Sequence, residues 1–151
     1  MTAQWFADGQ EIPMPHIVVL GAGIGGMTAA YEIKDMLGKQ HQVTVVNERE
    51  YFQFVPSNPW LCVGWRERDA ITFDIRKYLE RRRINFVARA CTALVPDENY
   101  LMVEGGERID YDYLMIATGP RLAFEEVEGA GPEGGHTHSV CTVDHAEKAH
   151  E

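Results

Sequence analysis

The stretch His16-Ile17-Val18-Val19-Leu20-Gly21-Ala22-Gly23-Ile24-Gly25-Gly26 decides the fold. Its first five residues are a short apolar run rich in β-branched side chains, the pattern of a strand buried on both faces in a parallel sheet. Glycines follow at once, and Met27 to Leu37 then reads as a helix stopped by Gly38, with Ile24, Ala29, Ala30, Ile33 and Leu37 on one face. Val43-Thr44-Val45-Val46 supplies a second strand, which closes a βαβ unit of about thirty residues. Three of the glycines have separate tasks. Gly21 permits the tight turn, Gly23 lets backbone come close to a phosphate, and Gly26 lets helix and strand pack closely. Free backbone N–H groups and the positive end of a helix make this turn a place for the pyrophosphate of a dinucleotide. The glycine pattern is weak evidence alone; the strand before it and the helix and strand behind it give it meaning.

Further along, an aromatic, proline-broken loop spans Tyr51 to Pro59. Asp74 to Arg83 reads as a helix with Ile75, Tyr78 and Leu79 inward, and Ile84 to Ala88 as a third strand. Cys91 to Val95, Tyr100 to Val103 and Arg108-Ile109 alternate as a small antiparallel meander, with turns at Pro96-Asp97 and Gly105-Gly106. Tyr113-Leu114-Met115-Ile116 is another apolar strand, stopped by Ala117-Thr118-Gly119-Pro120. Gly129 to Gly135 is a glycine-rich loop, and Asp144 with Glu147 reads as a capping box for a final helix. The expected fold class is therefore α/β: a Rossmann-like FAD/NAD(P)-binding domain over residues 16–151, mostly a parallel sheet with a small antiparallel β-meander. Residues 1–15 read as a polar leader without an assigned function.

Composition narrows the function. The chain has 151 residues, 45% hydrophobic and 25% charged, which suits one soluble domain with its own core. A net charge of -9 argues against nucleic acid as a partner, because no basic stripe faces the phosphates. The basic run Arg81-Arg82-Arg83 fits a helix C-terminus, where cations suit the dipole. No apolar run approaches bilayer length and no secretory signal precedes the first strand, so the chain by itself is expected to be soluble. Three widely spaced cysteines, Cys62, Cys91 and Cys141, exclude a disulfide framework and a CxxC signature. His136 and His138 stand just before Cys141, but no further ligands lie at the spacing of a tetrahedral set, and no metal is expected.

The residue ending the second strand of such a unit usually carries a carboxylate for the adenosine ribose. Here Asn47 stands there with Glu48 next, and either side chain can meet a hydroxyl. The other informative stretch is Tyr111-Asp112-Tyr113-Leu114-Met115-Ile116-Ala117-Thr118-Gly119. Its small-residue turn lets backbone pass close beside a cofactor. A strand ending in Ala-Thr-Gly, set after a β-meander and a glycine motif, is similar to the order found in two-dinucleotide flavoproteins, and it points to FAD rather than NAD.

More specific stretches narrow that likeness. Tyr51-Phe52-Gln53-Phe54-Val55-Pro56-Ser57-Asn58-Pro59-Trp60 with Val63-Gly64-Trp65, Tyr111 to Pro120 with Leu122-Ala123-Phe124, and Val140-Cys141-Thr142-Val143-Asp144-His145-Ala146-Glu147 resemble the N-terminal part of bacterial-type sulfide:quinone oxidoreductases. The resemblance implies a membrane-peripheral FAD enzyme that oxidises sulfide and passes electrons through the flavin to a quinone. It implies that Gly21, Ala22, Gly23, Ile24 and Gly25 hold pyrophosphate with Gly26 behind them, and that Asn47 and Glu48 hold the ribose. It implies that Val55 lies against the flavin, that Ala90 and Cys91 approach adenine through backbone, and that Thr118, Gly119 and Ala123 lie along the cofactor. Cys141 matches an accessory redox cysteine and is the catalytic candidate; the pair central to sulfide capture would fall after Glu151. Cys62 and Cys91 read as packing residues by their side chains. Pro56-Ser57-Asn58 reads either as a polar turn reaching the flavin ring or as a rigid plug. By the same resemblance the chain is the N-terminal fragment of a longer two-dinucleotide flavoprotein, inactive alone, whose contacts with the membrane surface come from its C-terminal part. Two other classes suit these residues: another two-dinucleotide flavoenzyme, such as a type II NADH dehydrogenase or a flavocytochrome sulfide dehydrogenase, and a non-catalytic FAD-binding module.

Overall fold

The computed structural model describes residues 14–151, so all but the last two residues of the polar leader lie outside the described residues. The elements run β1 (His16–Leu20), α1 (Ile24–Leu37), β2 (Gln42–Asn47), β3 (Tyr51–Gln53), α2 (Asn58–Cys62), β4 (Thr72–Asp74), α3 (Ile75–Arg81), β5 (Asn85–Ala88), β6 (Cys91–Val95), β7 (Tyr100–Val103), β8 (Glu107–Asp110), β9 (Tyr113–Ile116) and α4 (Val143–His150). Strands β5, β2, β1 and β9 form a parallel sheet in that order, and β6, β7 and β8 form the antiparallel meander. The α/β class, the mostly parallel sheet and the meander are as read from the sequence.

Continuous apolar strands follow from burial on both sides. On one face Val19, Val43 and Val45 pack with Met27 and Ala30 of α1 and with Ile75 and Leu79 of α3. On the other, Val18, Leu20 and Val46 pack with Leu101, Val103, Ile109 and Tyr111 of the meander and the segment after it. The register between β1 and β9 is pinned at its start by Asp112, whose carboxylate accepts from the His16 N–H at 2.7 Å while its own N–H donates to the His16 carbonyl at 2.9 Å. That register sets Leu20 opposite Ile116, and so brings the two strand ends level.

Local details differ from the sequence reading. Helix α1 begins at Ile24, not Met27, and its buried side is Gly26, Met27 and Ala30. Ile24 and Leu37 are exposed; Ile24 instead borders an open apolar cleft with Met27, Tyr31, Phe52, Phe54 and Phe73. Tyr78 is likewise exposed, because its ring stands edge-on to Phe73 rather than in the core. Helix α3 stops at Arg81; Arg83 takes a left-handed φ of 57°, and Arg82 pairs with Asp35 of α1 at 2.9 Å. The stretch 51–59 is more than a loop, since it holds β3, a 3-10 turn and the start of α2, and β3 pairs with the unforeseen β4. Strands of three residues are too short to display an alternation.

The last helix is held differently from the capping box. Thr142 is its N-cap, its hydroxyl accepting from the His145 N–H at 3.1 Å. Asp144 and Glu147 instead both receive Arg68, at 2.8 and 2.5 Å, and its guanidinium also lies 5.2 Å from the Tyr51 ring centre. The hydrogen bond to Asp144, with that to Glu147, raises the already high pKa of Arg68, so the bridge keeps its cation. Val143 and Ala146 bury against Leu61 and Ile71 beneath it. Replacing Arg68 with Met is expected to weaken this docking by about 1 kcal/mol, because all three groups are partly solvated. Amide exchange over 143–150 should then speed up, and added salt should do part of the same to the unmodified chain.

Candidate functional site

At the carboxyl ends of β1 and β9 the chain folds into two turns that touch. The Ala117 N–H donates to the Leu20 carbonyl at 2.7 Å, and the Gly21 N–H to the Val46 carbonyl at 2.8 Å. Gly21 has φ +104°, and a Cβ there would stand 2.4 Å from the Ala117 oxygen and 2.8 Å from the Thr118 nitrogen. A Cβ on Gly26 would stand 1.9 Å from the Gly21 oxygen. Backbone crowding therefore demands glycine at 21 and 26.

Gly23 and Gly25 are different. A Cβ on either would meet nothing within 4 Å, and Gly23 has an ordinary extended backbone at φ -73°. Gly25 sits inside α1, where glycine costs about 0.5–1 kcal/mol relative to alanine. The protein's own packing asks for neither. The helix also starts without help from its neighbours: α1 has no side-chain cap and no acidic residue in its first turn. Its first intrahelical bond is Met27 N–H to the Gly23 carbonyl, leaving the amides of Ile24, Gly25 and Gly26 without an acceptor among the described residues. By contrast, α4 is capped by Thr142 and by Gln53, whose side-chain oxygen accepts from the Val143 N–H at 2.8 Å. Bare backbone, free amides and a helix's positive end are the donor set a phosphate fits. The place is also where strand order reverses, between β1 and β9.

The structure sorts the remaining candidates. Ala22 is buried and its N–H donates to Asn47 Oδ1 at 3.0 Å, while Asn47 Nδ2 donates to the Arg49 carbonyl at 2.8 Å. Glu48 is exposed, with Arg49 3.6 Å away. Thr118 is exposed beside Gly21, and Gly119 turns with φ +75° in open space. Val55 opens a 3-10 turn and Ala123 precedes another, both exposed, and Ala90 accepts from the Glu104 N–H before Cys91 starts β6. Hydrogen bonds among the described residues join none of Val55, Ala90, Cys91, Ala123 or Cys141 to the glycine turn. Cys141 is exposed just ahead of α4, while Cys62 and Cys91 are half-buried against the core.

Sequence reading missed how the Cys141 segment is positioned. Asn58 is fully buried and its Nδ2 donates to the Val140 carbonyl at 3.0 Å; Gln53 and Arg68 hold the residues that follow. Buried Ser57 accepts from Arg66 at 3.0 Å, whereas Asn58 Oδ1 is buried without a hydrogen-bond partner among the described residues. An amide and a carboxamide more than eighty residues apart leave no mark in a single sequence.

Fold and site together define a Rossmann-like domain of the dinucleotide-binding class. The model of the pyridine nucleotide-disulphide oxidoreductase family matches residues 15–151, and the chain belongs to that family. It is 36% identical to the sulfide-quinone reductase of Aquifex aeolicus over 87% of this chain and 29% of that one. It superposes on the X-ray structure of the sulfide:quinone oxidoreductase from Aquifex aeolicus with a TM-score of 0.82 and 35% identity, covering 90% of this chain and 30% of that one. NDH2 from Plasmodium falciparum, solved with NADH, gives a TM-score of 0.77 at 27% identity, covering 90% of this chain and 28% of that one. The chain thus spans less than a third of the length of these relatives.

The contrast between the glycines has a direct test in urea unfolding. Gly21→Ala and Gly26→Ala are each expected to cost about 3 kcal/mol or more, because backbone must move to admit a methyl group. Gly25→Ala should instead stabilise the ligand-free chain by about 0.5–1 kcal/mol.

Proposed function

We propose that this chain is the FAD-binding part of a flavin-dependent oxidoreductase that oxidises sulfide and delivers the electrons to a quinone. The observation that carries the reading is the uncapped start of α1 beside two glycines that the packing does not require. The amides of Ile24, Gly25 and Gly26 would hold the pyrophosphate, with Gly23 left bare to let it approach. Thr118 and Gly119, level with them at the end of β9, would flank the cofactor. FAD supplies a carrier that takes up an electron pair from one partner and releases it to another. This chain's residues bind it, place it at the strand ends and keep side chains out of its way.

The choice of sulfide and quinone rests on the relatives' names and on Cys141. Relatives at 36 and 31% identity are a sulfide-quinone reductase and a sulfide:quinone oxidoreductase, whereas those acting on NAD(P)H and ubiquinone stand at 27%. Cys141 is exposed and its segment is fixed by Asn58, Gln53 and Arg68, as a thiol in sulfur exchange would need. The chain would be the N-terminal portion of a longer, membrane-peripheral protein. Among the described residues no helix is long and apolar enough to cross a membrane.

Purification with a bound yellow flavin tests the cofactor. Gly23→Val and Gly25→Val, which place a branched side chain in open space, are expected to weaken FAD binding by tenfold or more, roughly, with little loss of stability. In the longer protein, Cys141→Ser should lower sulfide-dependent quinone reduction while flavin content stays constant. Unchanged rates would remove Cys141 from the reaction, and a preparation that fails to bind FAD at all would remove the cofactor assignment.

A further inference from the structure

The apolar cleft bordered by Ile24 has an aromatic wall and a cationic rim. In the wall, Phe52 stacks on Phe73 with ring centres 4.7 Å apart, and Tyr78 meets Phe73 edge-on at 4.8 Å. Ile24, Phe54, Phe73 and Tyr78 remain exposed, so an apolar concavity of about 340 Å³ stays open to water. That size and lining are those of a small-molecule site, and a concentrated exposed apolar patch marks a place of contact. At the rim, Arg81 lies over the Tyr78 ring at 5.6 Å and Arg82 over the Tyr31 ring at 5.6 Å, and both rings line the cleft. Asp35 takes Arg82 at 2.9 Å, whereas Arg81 has no carboxylate partner among the described residues. Lys77 and Arg83 add two more cations to the same short segment of a chain whose net charge is -9. A guanidinium laid over a ring keeps its N–H edge for an acid.

We infer that this cleft binds a single-chain amphiphile with an anionic head, of which an alkyl carboxylate is the simplest. The apolar chain lies against Phe52, Phe73 and Ile24, where it removes exposed apolar surface from water. The carboxylate meets Arg81, while Arg82 beside it shares its charge with Asp35. Affinity needs both halves. An exposed ion pair by itself contributes little, and an uncharged chain gains nothing from the arginines. The basic run at the end of α3 thereby has a use beyond the helix dipole. The site is separate from the glycine turn and does not depend on the dinucleotide reading. Ile24, the first residue of α1, stands in both neighbourhoods and reports on the cleft.

The test titrates octanoate, octanol and octyltrimethylammonium, all monomeric, into the 151-residue chain at neutral pH. Binding is read by NMR from the methyl groups of Ile24, Met27 and Thr28. Octanoate should bind about tenfold more tightly than either of the others, the worth of a hydrogen bond to a charged group. Arg81→Gln should erase most of that preference, and added salt should reduce it. Thr28→Trp fills the cleft from the exposed side of α1 and removes no buried group; it should abolish octanoate binding while the amide spectrum stays that of the folded chain. Equal affinity for octanol and octanoate overturns the inference, as does a preference that survives Arg81→Gln. Octanoate binding undiminished in a folded Thr28→Trp chain, or absent from the unmodified one, overturns it as well. Binding to phosphatidylglycerol vesicles without binding of free octanoate would overturn it in favour of a membrane-facing surface.

Discussion

The close approach of two stretches of backbone, Gly21 and Ala117–Thr118, is the constraint on which the rest of the molecule depends. Nothing but hydrogen fits between them, as the 2.4 Å separation from a hypothetical Cβ makes plain. The parallel pairing of β1 with β9, fixed at its far end by Asp112, delivers the two turns to that spot. Gly26 then brings α1 against the same turn, so that strand, helix and strand meet within one residue's width. A looser junction would leave the amides of α1 aimed at water rather than at the crevice between the strand ends.

The parallel sheet and its meander were legible because their signals are local and periodic. Apolar runs of four or five β-branched residues mark strands buried on both faces, and the strand–glycine–helix order marks the turn. What escaped the reading was set by distant partners. Ile24 and Leu37 have helical spacing, yet the buried stripe is chosen by where Gly26 touches Gly21, which rotates α1 onto Met27 and Ala30. Asp144 and Glu147 have capping-box spacing, but a hydroxyl at Thr142 and a cation at Arg68 outcompeted that use. Among the glycines, the tight turn at Gly21 and the close packing at Gly26 were legible in the motif, and a methyl group placed at each meets backbone; that Gly25, like Gly23, faces open space appears only in the structure.

The family match covers nearly the whole described chain, and the fold agrees with it. Within that frame, a few polar side chains hold the segments around the site. Asn47 stands where a carboxylate is usual, and the segment carrying Cys141 is strapped by Gln53, Asn58 and Arg68 to the layer around α2. Asn47, Gln53 and Asn58 use their hydrogen bonds to hold backbone in place, and Arg68 holds the side chains of Asp144 and Glu147. Positional fidelity at the site therefore comes from residues that need not touch the reacting groups.

The uncapped first turn of α1 has a thermodynamic consequence. Any anion that accepts from those amides binds the folded chain and has nothing comparable to hold in the unfolded one. Its free concentration then enters the folding equilibrium directly, adding RT ln(1 + [L]/Kd) to the stability. The same bare backbone that admits a ligand makes the folded population a function of how much ligand is at hand.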